Sequence, residues 1–263
     1  MEYVLVTGAC GGMGAAAVKL LSGAGYQVIA MDRLLPSAGE HVIPVQADIT
    51  DMQSLQAAFE LVHGITERLY AIVHFAGTYM LDSLVEMDED EFVKTFDINV
   101  FGAVRVNKVF LPMLGQGSRI ILTTSELANL DPLPFTGLYA VTKSALDKYA
   151  YSLRMELQLL GIHVTVLRPG AVRTGMLQVS MDQLDRFCRK TLLYACNARR
   201  FRRIVHSVES RNVTPERIAG KVGKILSRKH PRHTYHINRN PLLILLNMLP
   251  HRMQTQIIKW VLK

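Results

Sequence analysis

The chain has 263 residues, of which 49% are hydrophobic, and a net charge of +8 at pH 7. This length and composition are sufficient to bury the core of one α/β domain. The cysteines Cys10, Cys188 and Cys196 have neither the pairing of a secreted disulfide scaffold nor the spacing of a zinc site, so we expect free thiols in a reducing compartment and no metal centre.

The positive charge is concentrated towards the end of the sequence. Residues 1–170 contain 11 Lys and Arg against 18 Asp and Glu, whereas residues 171–263 contain 19 against 4. This asymmetry is consistent with an anionic partner for the last third, such as an acidic lipid surface or a phosphorylated carrier or substrate, or with a solvated basic surface. Nucleic acid is not expected, because no recognised reading motif accompanies the charge.

Short apolar segments alternate with helical patterns over the first 170 residues. The apolar segments are rich in Val and Ile and lack a polar face, which is typical of strands covered on both sides of a parallel sheet. Strands are predicted at 3–7, 27–31, 41–45, 71–75, 119–123 and 163–167, and helices near 12–24, 51–63, 88–114 and 137–160. This order predicts a single-domain α/β Rossmann fold with a doubly wound parallel sheet. Because the first strand follows Glu2 directly, no signal peptide is expected and a cytoplasmic protein is favoured.

The pattern changes after Gly170. A helical insertion, rich in arginine, is followed by a helix predicted to start at Pro215 and by an edge strand, and the chain ends in an apolar and basic tail. We divide the domain into a cofactor and catalytic core at 1–174, substrate-loop helices at 175–212, and C-terminal helices with the tail at 213–263, where the edge strand is 233–237 and the tail 240–263.

A glycine-rich segment, Thr7-Gly-Ala-Cys-Gly-Gly-Met-Gly14, joins the first predicted strand to the first helix. Its glycines allow a tight turn and a close approach of the backbone to a pyrophosphate, while the helix N-terminus supplies amide hydrogens and a favourable dipole. This context predicts a dinucleotide site.

Asp32, at the end of the second strand, bears on the choice of cofactor. A carboxylate there accepts hydrogen bonds from the adenosine ribose and repels a 2′-phosphate, which favours NAD. Arg33 leaves NADP open, because an arginine in this loop neutralises a 2′-phosphate.

Tyr139 and Lys143 are one helical turn apart on the same face of a predicted helix. They follow the glycine motif, Asn99 midway along the chain, and Ser125 at the end of an apolar strand. This ordered set resembles the short-chain dehydrogenase/reductase family over nearly all of residues 2–175. The resemblance implies a nicotinamide-dependent oxidoreductase of the alcohol dehydrogenase or carbonyl reductase class (EC 1.1.1.-) with an Asn-Ser-Tyr-Lys tetrad.

The chemistry of that class explains the residue types. The cofactor exchanges a hydride with carbon, and the protein holds the oxygen and exchanges its proton. Tyr139 is the proposed acid/base, and we expect Lys143 and the positive nicotinamide to lower its pKa from about 10. The resemblance further implies that Lys143 bonds the nicotinamide ribose, that Ser125 donates to the substrate oxygen, and that Asn99 holds a water linking Lys143 to solvent.

Further segments resemble cofactor-binding segments of the family. Asp48 with Ile49 resembles a pair that contacts adenine, although Asp48 is also interpretable as a helix cap, and Thr174 would bond the carboxamide. The segment 74–77 departs from the family's Asn-Asn-Ala-Gly at His74 and Phe75, so His74 is expected to pack or hydrogen-bond. The implied cofactor contacts are Thr7, Gly8, Gly12, Met13, Gly14, Asp32, Arg33, Asp48, Ile49, Ala76, Gly77, Asn99, Tyr139, Lys143, Pro169, Gly170, Val172 and Thr174.

The serine position depends on the alignment. Ser125 precedes Tyr139 by 14 positions, one more than expected for the family, so an ungapped match would put Glu126 there. An ionised carboxylate does not stabilise an oxyanion, and we therefore prefer Ser125 with a one-residue insertion in 127–136, in a loop bordering the substrate site.

The tail contains two apolar segments. The segment 242–246 is too short to span a bilayer, which takes about 20 apolar residues. A stripe at helical spacing, bordered by lysines, fits an interfacial helix on an anionic membrane, or else packs on the protein's own core, covers the active site or joins a dimer. This stripe consists of Met253, Ile257, Trp260 and Val261.

The insertion and tail loosely resemble family members that act on hydrophobic alcohols such as steroids, retinoids or long-chain lipids. Our first hypothesis is therefore an alcohol dehydrogenase or ketone reductase with an apolar substrate, preferring NAD. The alternatives are an NADPH-dependent 3-oxoacyl-thioester reductase and a non-catalytic nucleotide-binding regulatory protein. Family relatives also imply a homodimer or homotetramer, with helices near 99–114 and 137–160 forming a four-helix contact.

Overall fold

Seven parallel strands form one sheet in the order β3-β2-β1-β4-β5-β6-β7. The computed structural model describes residues 1–209 and 211–263, with side chains described for all of these except 206–209. The predicted single-domain Rossmann fold is confirmed, including the edge strand near 233–237. The strands are β1 Tyr3–Thr7, β2 Gln27–Asp32, β3 Val42–Gln46, β4 Ala71–His74, β5 Arg119–Thr123, β6 His163–Pro169 and β7 Thr234–Ile237.

The helices follow the predicted order with one difference. The segment predicted as one helix at 88–114 is interrupted by a π-helical segment, Asp97–Phe101, and ends in a 3-10 turn, Leu111–Met113. The insertion predicted to contain helices at 175–212 forms two of them, and its residue 210 lies outside the described residues. The helices are α1 Gly12–Gly23, α2 Met52–His63, α3 Glu89–Phe96, α4 Gly102–Phe110, α5 Gly137–Leu157, α6 Gly175–Lys190, α7 Ala195–Glu209, α8 Pro215–Leu226, α9 Pro241–Asn247 and α10 His251–Leu262.

Both faces of the sheet are covered, as the continuous apolar strands require. Along β1, Val4 and Val6 pack on one face, in a cluster with residues of α1 and α8. Leu5, which points to the opposite face, packs with residues of α2 and α4. Because strand side chains alternate, every strand needs apolar residues at consecutive positions to fill both layers. The sheet thereby fixes the positions of the loops at its carboxyl edge.

A second core forms outside the sheet. Leu184 and Phe187 of α6, Phe201 of α7 and Leu262 of α10 belong to one buried cluster that also includes Leu81. We call α6, α7, α9 and α10 together the cap. Its burial against Leu81, which follows β4, fixes the cap beside the carboxyl ends of the strands.

The apolar stripe predicted in the tail lies on α10 and is largely exposed. Trp260 is 81% exposed and Met253 50%, whereas Gln254 and Leu262 of the same helix are buried. The Gln254 side chain donates to the Leu249 backbone oxygen at 2.9 Å, which satisfies its amide inside the cap. Among the described residues, no helix combines the length and apolar character needed to cross a bilayer. Cys10, Cys188 and Cys196 are free thiols.

Candidate active site

The strand order reverses between β1 and β4, which both lie at the centre of the sheet. In open parallel sheets, ligands bind in the crevice beyond the carboxyl ends of the strands at such a switch point. The glycine-rich segment follows β1, and Ala76 with Gly77 follows β4. The sequence motifs therefore converge on the crevice where a dinucleotide is expected.

The glycine-rich loop contains positions that only glycine fits. Gly8 has φ of +68°, and a Cβ there would lie 2.5 Å from the backbone nitrogen of Ala76. A Cβ at Gly14 would overlap the backbone oxygen of Gly8, and one at Gly12 would lie 2.7 Å from Cγ2 of Thr174. A larger residue would displace the loop after β4 at Gly8, the segment after β6 at Gly12, and the glycine-rich loop itself at Gly14, so these glycines set the shape of the crevice.

The N-terminus of α1 is open to an anion. Gly11 is its N-cap residue, no side chain caps the helix, and the first turn has no acidic residue. The unpaired amide groups and the positive end of the helix dipole favour a phosphate at this position. Thr7 attaches the loop after β4 to the end of β1, because its hydroxyl accepts from the Ala76 backbone amide at 3.3 Å. These residues fit the pyrophosphate of a dinucleotide.

Asp32 lies where the second strand ends, beside the glycine-rich loop. Its carboxylate accepts from the Cys10 backbone amide at 3.0 Å and from the Leu34 amide at 3.1 Å. These bonds hold the carboxylate at the edge of the crevice. The Arg33 side chain is exposed, and its positive charge contributes to lowering the pKa of Asp48.

Asp48 is engaged in a local turn. Its carboxylate accepts from the backbone amide of Thr50 at 2.8 Å and from the Thr50 hydroxyl at 2.7 Å, and these bonds lower its pKa. Asp51, not Asp48, caps α2. Ile49 packs against Gly102, where a Cβ would lie 2.5 Å from Cδ1 of Ile49.

The segment after β4 contains a buried histidine that faces the core. His74 Nε2 lies 2.8 Å from Oδ1 of Asn107, and burial lowers the pKa of His74 to about 4. The ring is therefore neutral near pH 7 and hydrogen-bonded within the core, the environment expected for it from the sequence. Phe75 lines the pocket described below.

Tyr139 is half-buried at the start of α5, in contact with Ser125. The Ser125 side chain hydrogen-bonds the phenol, and the ring of Tyr79 packs on that of Tyr139 with centroids 4.8 Å apart. Lys143, one turn further along, donates to the backbone oxygen of Thr123 at 3.2 Å, and its Nζ lies 5.7 Å from the centroid of the Tyr139 ring. The structure thus brings Ser125, Tyr139 and Lys143 together.

In the protein alone, the pKa values of Tyr139 and Lys143 are governed by burial. Burial raises the pKa of Tyr139 to about 12, although the Ser125 hydrogen bond lowers it in part. Burial also lowers the pKa of Lys143 to about 8. Both shifts disfavour the charged form of the side chain, as desolvation does. The expectation that Lys143 and the positive nicotinamide together lower the pKa of Tyr139 concerns the cofactor-bound protein and stays a prediction.

Asn99 is buried inside the π-helical segment between α3 and α4. Its Oδ1 accepts from the Thr78 amide at 2.7 Å, and its Nδ2 donates to the Thr78 backbone oxygen at 2.9 Å and to the Thr142 hydroxyl at 3.1 Å. A Cβ at Gly77 would lie 3.1 Å from Oδ1 of Asn99 and 3.4 Å from Nζ of Lys143. The asparagine therefore holds the loop after β4 against α5, beside the lysine.

Sequence reasoning did not identify the threonines in this arrangement. Thr142 bridges two members of the set, because its hydroxyl donates to the Tyr139 backbone oxygen at 2.8 Å and accepts from Asn99. Thr142 could have been predicted from its position three residues after Tyr139, which places it on the same inward-facing side of the helix. Thr78 and Thr123 act through backbone groups, which the sequence does not specify.

Glu126 points away from Tyr139. Its Oε2 accepts from the backbone amide of Asn240, the N-cap residue of α9, at 2.7 Å, and burial raises its pKa. The side chain of Ser125, not that of Glu126, therefore contacts the phenol. The loop from 127 to 136, where the extra residue was predicted, contributes Leu127, Leu133 and Thr136 to the pocket wall.

One large pocket, of ≈ 730 Å³, extends from the carboxyl edge of the sheet under the cap. Tyr139, Ser125 and Lys143 lie in its wall, and the cap supplies apolar side chains from all four helices. The sequence-predicted residues that line it are Met13, Gly77, Ser125, Tyr139, Lys143, Pro169, Gly170, Val172 and Thr174. The predicted site residues outside the pocket lining lie at or after the ends of β1, β2, β3 and β4 or in the π-helical segment, and they are Thr7, Gly8, Gly12, Gly14, Asp32, Arg33, Asp48, Ile49, Ala76 and Asn99.

The family model for short chain dehydrogenases matches residues 2–185. Estradiol 17-beta-dehydrogenase 2 of Mus musculus is 32% identical over 192 residues, which cover 66% of this chain and 49% of that protein. The chain thus matches about half the length of that relative. The 3-ketodihydrosphingosine reductase of Bacteroides thetaiotaomicron is 25% identical over 231 residues, 88% of this chain and 85% of that protein.

The solved structures give the same fold. A short-chain dehydrogenase from Streptomyces avermitilis superposes with a TM-score of 0.79 at 21% identity, covering 98% of this chain and 95% of that one. The match of the family model to most of the chain, together with the arrangement of the glycine-rich loop, Ser125, Tyr139 and Lys143, leads to one conclusion. The chain belongs to the short-chain dehydrogenase/reductase family of NAD(H)- or NADP(H)-dependent oxidoreductases.

Proposed function

We propose that the protein interconverts an alcohol and its carbonyl compound on an apolar substrate. The observation that carries this proposal is the ≈ 730 Å³ pocket, which is lined mostly by apolar side chains and has Tyr139, Ser125 and Lys143 in its wall. The names of the two relatives specify estradiol and 3-ketodihydrosphingosine, both largely hydrocarbon molecules. Part of this pocket borders the implied cofactor contacts, and the remainder, beneath the cap, has a mostly apolar lining that suits a substrate of that kind.

The protein groups supply binding and proton transfer. The nicotinamide cofactor, when bound, gives or takes the hydride at the substrate carbon. In the reductive direction, the Tyr139 hydroxyl gives its proton to the carbonyl oxygen while Ser125 donates a hydrogen bond to that oxygen. The resulting phenolate is stabilised by the Lys143 ammonium and then takes a proton from solvent. In the oxidative direction the same steps run backwards, with the phenolate as the base.

The proposed preference for NAD(H) depends on Asp32, at the edge of the crevice. The Asp32 carboxylate, held by two backbone amides, is in position to accept from the adenosine ribose and repels a 2′-phosphate. NAD(H) is therefore the preferred cofactor. The exposed Arg33 next to it is the residue through which NADP(H) would bind.

A substrate panel tests the function. Steroids, retinoids, fatty alcohols and 3-oxoacyl thioesters are incubated with each cofactor, and nicotinamide absorbance at 340 nm is followed. We expect turnover of at least one apolar alcohol or ketone with NAD(H), absent in Tyr139→Phe. Turnover confined to 3-oxoacyl thioesters with NADPH would favour the thioester reductase instead. Tight binding of both cofactors with no hydride transfer to any substrate class would contradict an enzymatic role.

We also propose that the cap rests on an anionic membrane surface. Leu242 and Val261 line the pocket and are 65% and 40% exposed, so the mouth of the pocket borders exposed apolar side chains. Basic residues, including Arg252, Lys259 and Lys263, accompany them. Together with Leu242, the most exposed apolar side chains of the cap and its α6–α7 loop are Leu192, Leu193, Leu245, Met248 and Trp260. This combination favours peripheral binding and entry of substrate from the lipid.

Vesicle flotation tests the membrane proposal. With phosphatidylserine vesicles, we expect the wild type to float and Met248→Ser/Trp260→Ser to remain in the soluble fraction. Leu159→Ser/Leu160→Ser is the matched control, because these side chains are 83% and 60% exposed but follow α5, away from the cap. Equal flotation of all three proteins, or of none, would contradict the proposal.

A homodimer or homotetramer is proposed through α4 and α5. Their exposed surface includes Val141, Tyr151 and Met155 on α5, which are 47–52% exposed, and Phe101 beside α4 at 49%. Light scattering should give a dimer or tetramer for the wild type and a monomer for Val141→Glu/Tyr151→Glu. A monomeric wild type would contradict this proposal.

A further inference from the structure

We propose that Arg200 and Arg203 of α7 form an anion-binding subsite in the pocket, and that the substrate is an anionic amphiphile. The inference deepens the proposed function and rests on it, since it specifies what the same pocket takes. The substrate would have an apolar body carrying the reacting carbonyl or alcohol, and a phosphate monoester or carboxylate at the cap end.

The position of the two arginines in α7 directs both towards the pocket. Arg200, Arg203 and Ile204 all line it, and they are spaced three and four residues apart on one face of the helix. Phe201 and Val205, on the adjacent face, also line the pocket and belong to the buried core of the cap. The packing of that core fixes the rotation of α7, so both arginines stay at the wall of the pocket, where their side chains are exposed.

The charges of these arginines are not compensated by the protein. Arg202, on the other side of α7, forms an ion pair with Asp185 at 2.9 Å. Where side chains are described, neither Arg200 nor Arg203 has a hydrogen-bonded or ion-paired partner. Both side chains are exposed, where like charges one helical turn apart repel each other weakly, and an anion between them would relieve that repulsion. The arrangement is therefore suited to an anion supplied from outside.

The acidic group in the pocket wall does not fill this role. Glu126 is the only carboxylate in the lining within the described part of the chain. Its Oε2 is occupied by the Asn240 amide, and the charge that stabilises it is that of Arg239. Most of the remaining lining residues are apolar. The pocket thus combines an apolar wall, which includes Tyr139, with positive charge from the arginines of α7.

The chemistry of guanidinium groups sets the class of ligand. A guanidinium donates two parallel hydrogen bonds to a phosphate or a carboxylate, and two adjacent arginines bind a dianion more tightly than a monoanion. A neutral steroid or fatty alcohol would leave both charges without a partner. The anion also fixes which end of an elongated substrate reaches Tyr139.

Binding of unreactive probes tests the subsite without relying on turnover. Isothermal titration calorimetry measures decyl phosphate, decanoate and decanol with the cofactor-loaded wild type, Arg200→Gln/Arg203→Gln, and the matched control Arg186→Gln/Arg199→Gln. The control removes two exposed arginines of the cap that do not line the pocket. We expect the pocket variant to bind decyl phosphate about tenfold or more weakly, because charge-assisted bonds are lost. Its affinity for decanol should stay within about twofold, and the control should bind all probes as the wild type does.

Comparison of decyl phosphate with decanoate shows whether the subsite prefers a phosphate monoester or a carboxylate. Tighter binding of decyl phosphate than of decanoate assigns a phosphate monoester, and equal binding assigns a general anion site. The subsite is overturned if the pocket variant and the wild type bind both anions equally, or if decanol binds the wild type as tightly as the anions. Tyr139→Phe should bind decyl phosphate as tightly as the wild type does. The binding result therefore tests the subsite even if the proposed reaction is not found.

Discussion

The catalytic core and the cap differ in whether the polar side chains beside the pocket have partners within the protein. In the core, Lys143, Asn99 and Asp32 each have partners within the protein, at distances of 2.7–3.2 Å. In the cap, Arg200 and Arg203 have none among the described side chains, and Trp260 is 81% exposed. Other polar groups of the cap are paired, such as Arg202 with Asp185, so the two exposed arginines beside the pocket differ from their neighbours. The comparison supports the proposal that the core carries the reaction and that the cap selects the substrate.

The strongest test of the core is Tyr139→Phe. Loss of the hydroxyl removes the proposed proton donor while keeping the ring packed against Tyr79. We expect kcat for reduction to fall about a thousandfold, the range of acid–base catalysis, with cofactor affinity unchanged. Steady-state kinetics on the substrate identified in the panel measure this. Activity within tenfold of the wild type would remove Tyr139 from the proposed role.

Ser125→Ala and Glu126→Gln form a matched pair at the boundary between core and cap. Ser125 contacts the phenol, whereas Glu126 bonds the N-terminus of α9. We expect kcat to fall about a hundredfold for Ser125→Ala, because one donor to the developing oxyanion is lost. Glu126→Gln should keep kcat within about threefold and change KM, since it alters only the attachment of α9. The reverse order of effects in kcat would show that Glu126 occupies the serine position.

Lys143→Met should make the protein without cofactor more stable. Burial lowers the pKa of Lys143 from 10.5 to about 8, so the folded state pays for a buried charge at pH 7. Removing that charge is expected to raise the free energy of unfolding by on the order of 2 kcal/mol. Because the folded protein loses this proton first, the penalty disappears as the pH rises from about 8 to 10.5. Urea unfolding at pH 7 and pH 10 checks this, and a variant that is less stable at pH 7 would contradict it.

Asp32→Ala should shift the cofactor preference. With the carboxylate removed, repulsion of the 2′-phosphate is lost and Arg33 remains. We expect the ratio of the NADPH to the NADH dissociation constant to fall about tenfold. Fluorescence titration of both cofactors measures it, with Asp51→Ala as a control because Asp51 caps α2 at a distance from the loop. An unchanged ratio would remove Asp32 from cofactor selection.

The sequence predicts the core better than the cap for a physical reason. Strands such as Tyr3–Thr7 are buried on both sides, so their composition alone identifies them, and Gly8 and Gly14 are required by backbone contacts that no other residue permits. The resemblance of 139 and 143 to the family pair adds the chemistry. The strand composition, the glycine motif and the spacing of Tyr139 and Lys143 are all patterns of nearby residues, so they can be recognised without knowledge of the tertiary structure.

The cap depends on contacts between distant segments. The stripe through Trp260 has the spacing of a buried face, yet the buried residues of α10 are Gln254 and Leu262. Leu262 packs in the cluster around Phe187 and Phe201, and Gln254 hydrogen-bonds the Leu249 backbone oxygen. The raised pKa of Tyr139 in the protein alone could not be predicted for a similar reason, since the desolvation of the phenol comes from tertiary packing. Neither the charge balance nor the periodicity specifies which arginines of α7 face the pocket.

The central claim is that Tyr139 exchanges the substrate proton with help from Lys143. Its most direct test is the single-turnover rate of alcohol oxidation as a function of pH, in the wild type and in Lys143→Met. Oxidation requires the phenolate, so the wild-type rate should rise with pH, and loss of the ammonium should move this rise to higher pH by at least about one unit. A rate independent of pH, or two superimposable profiles, would contradict the account.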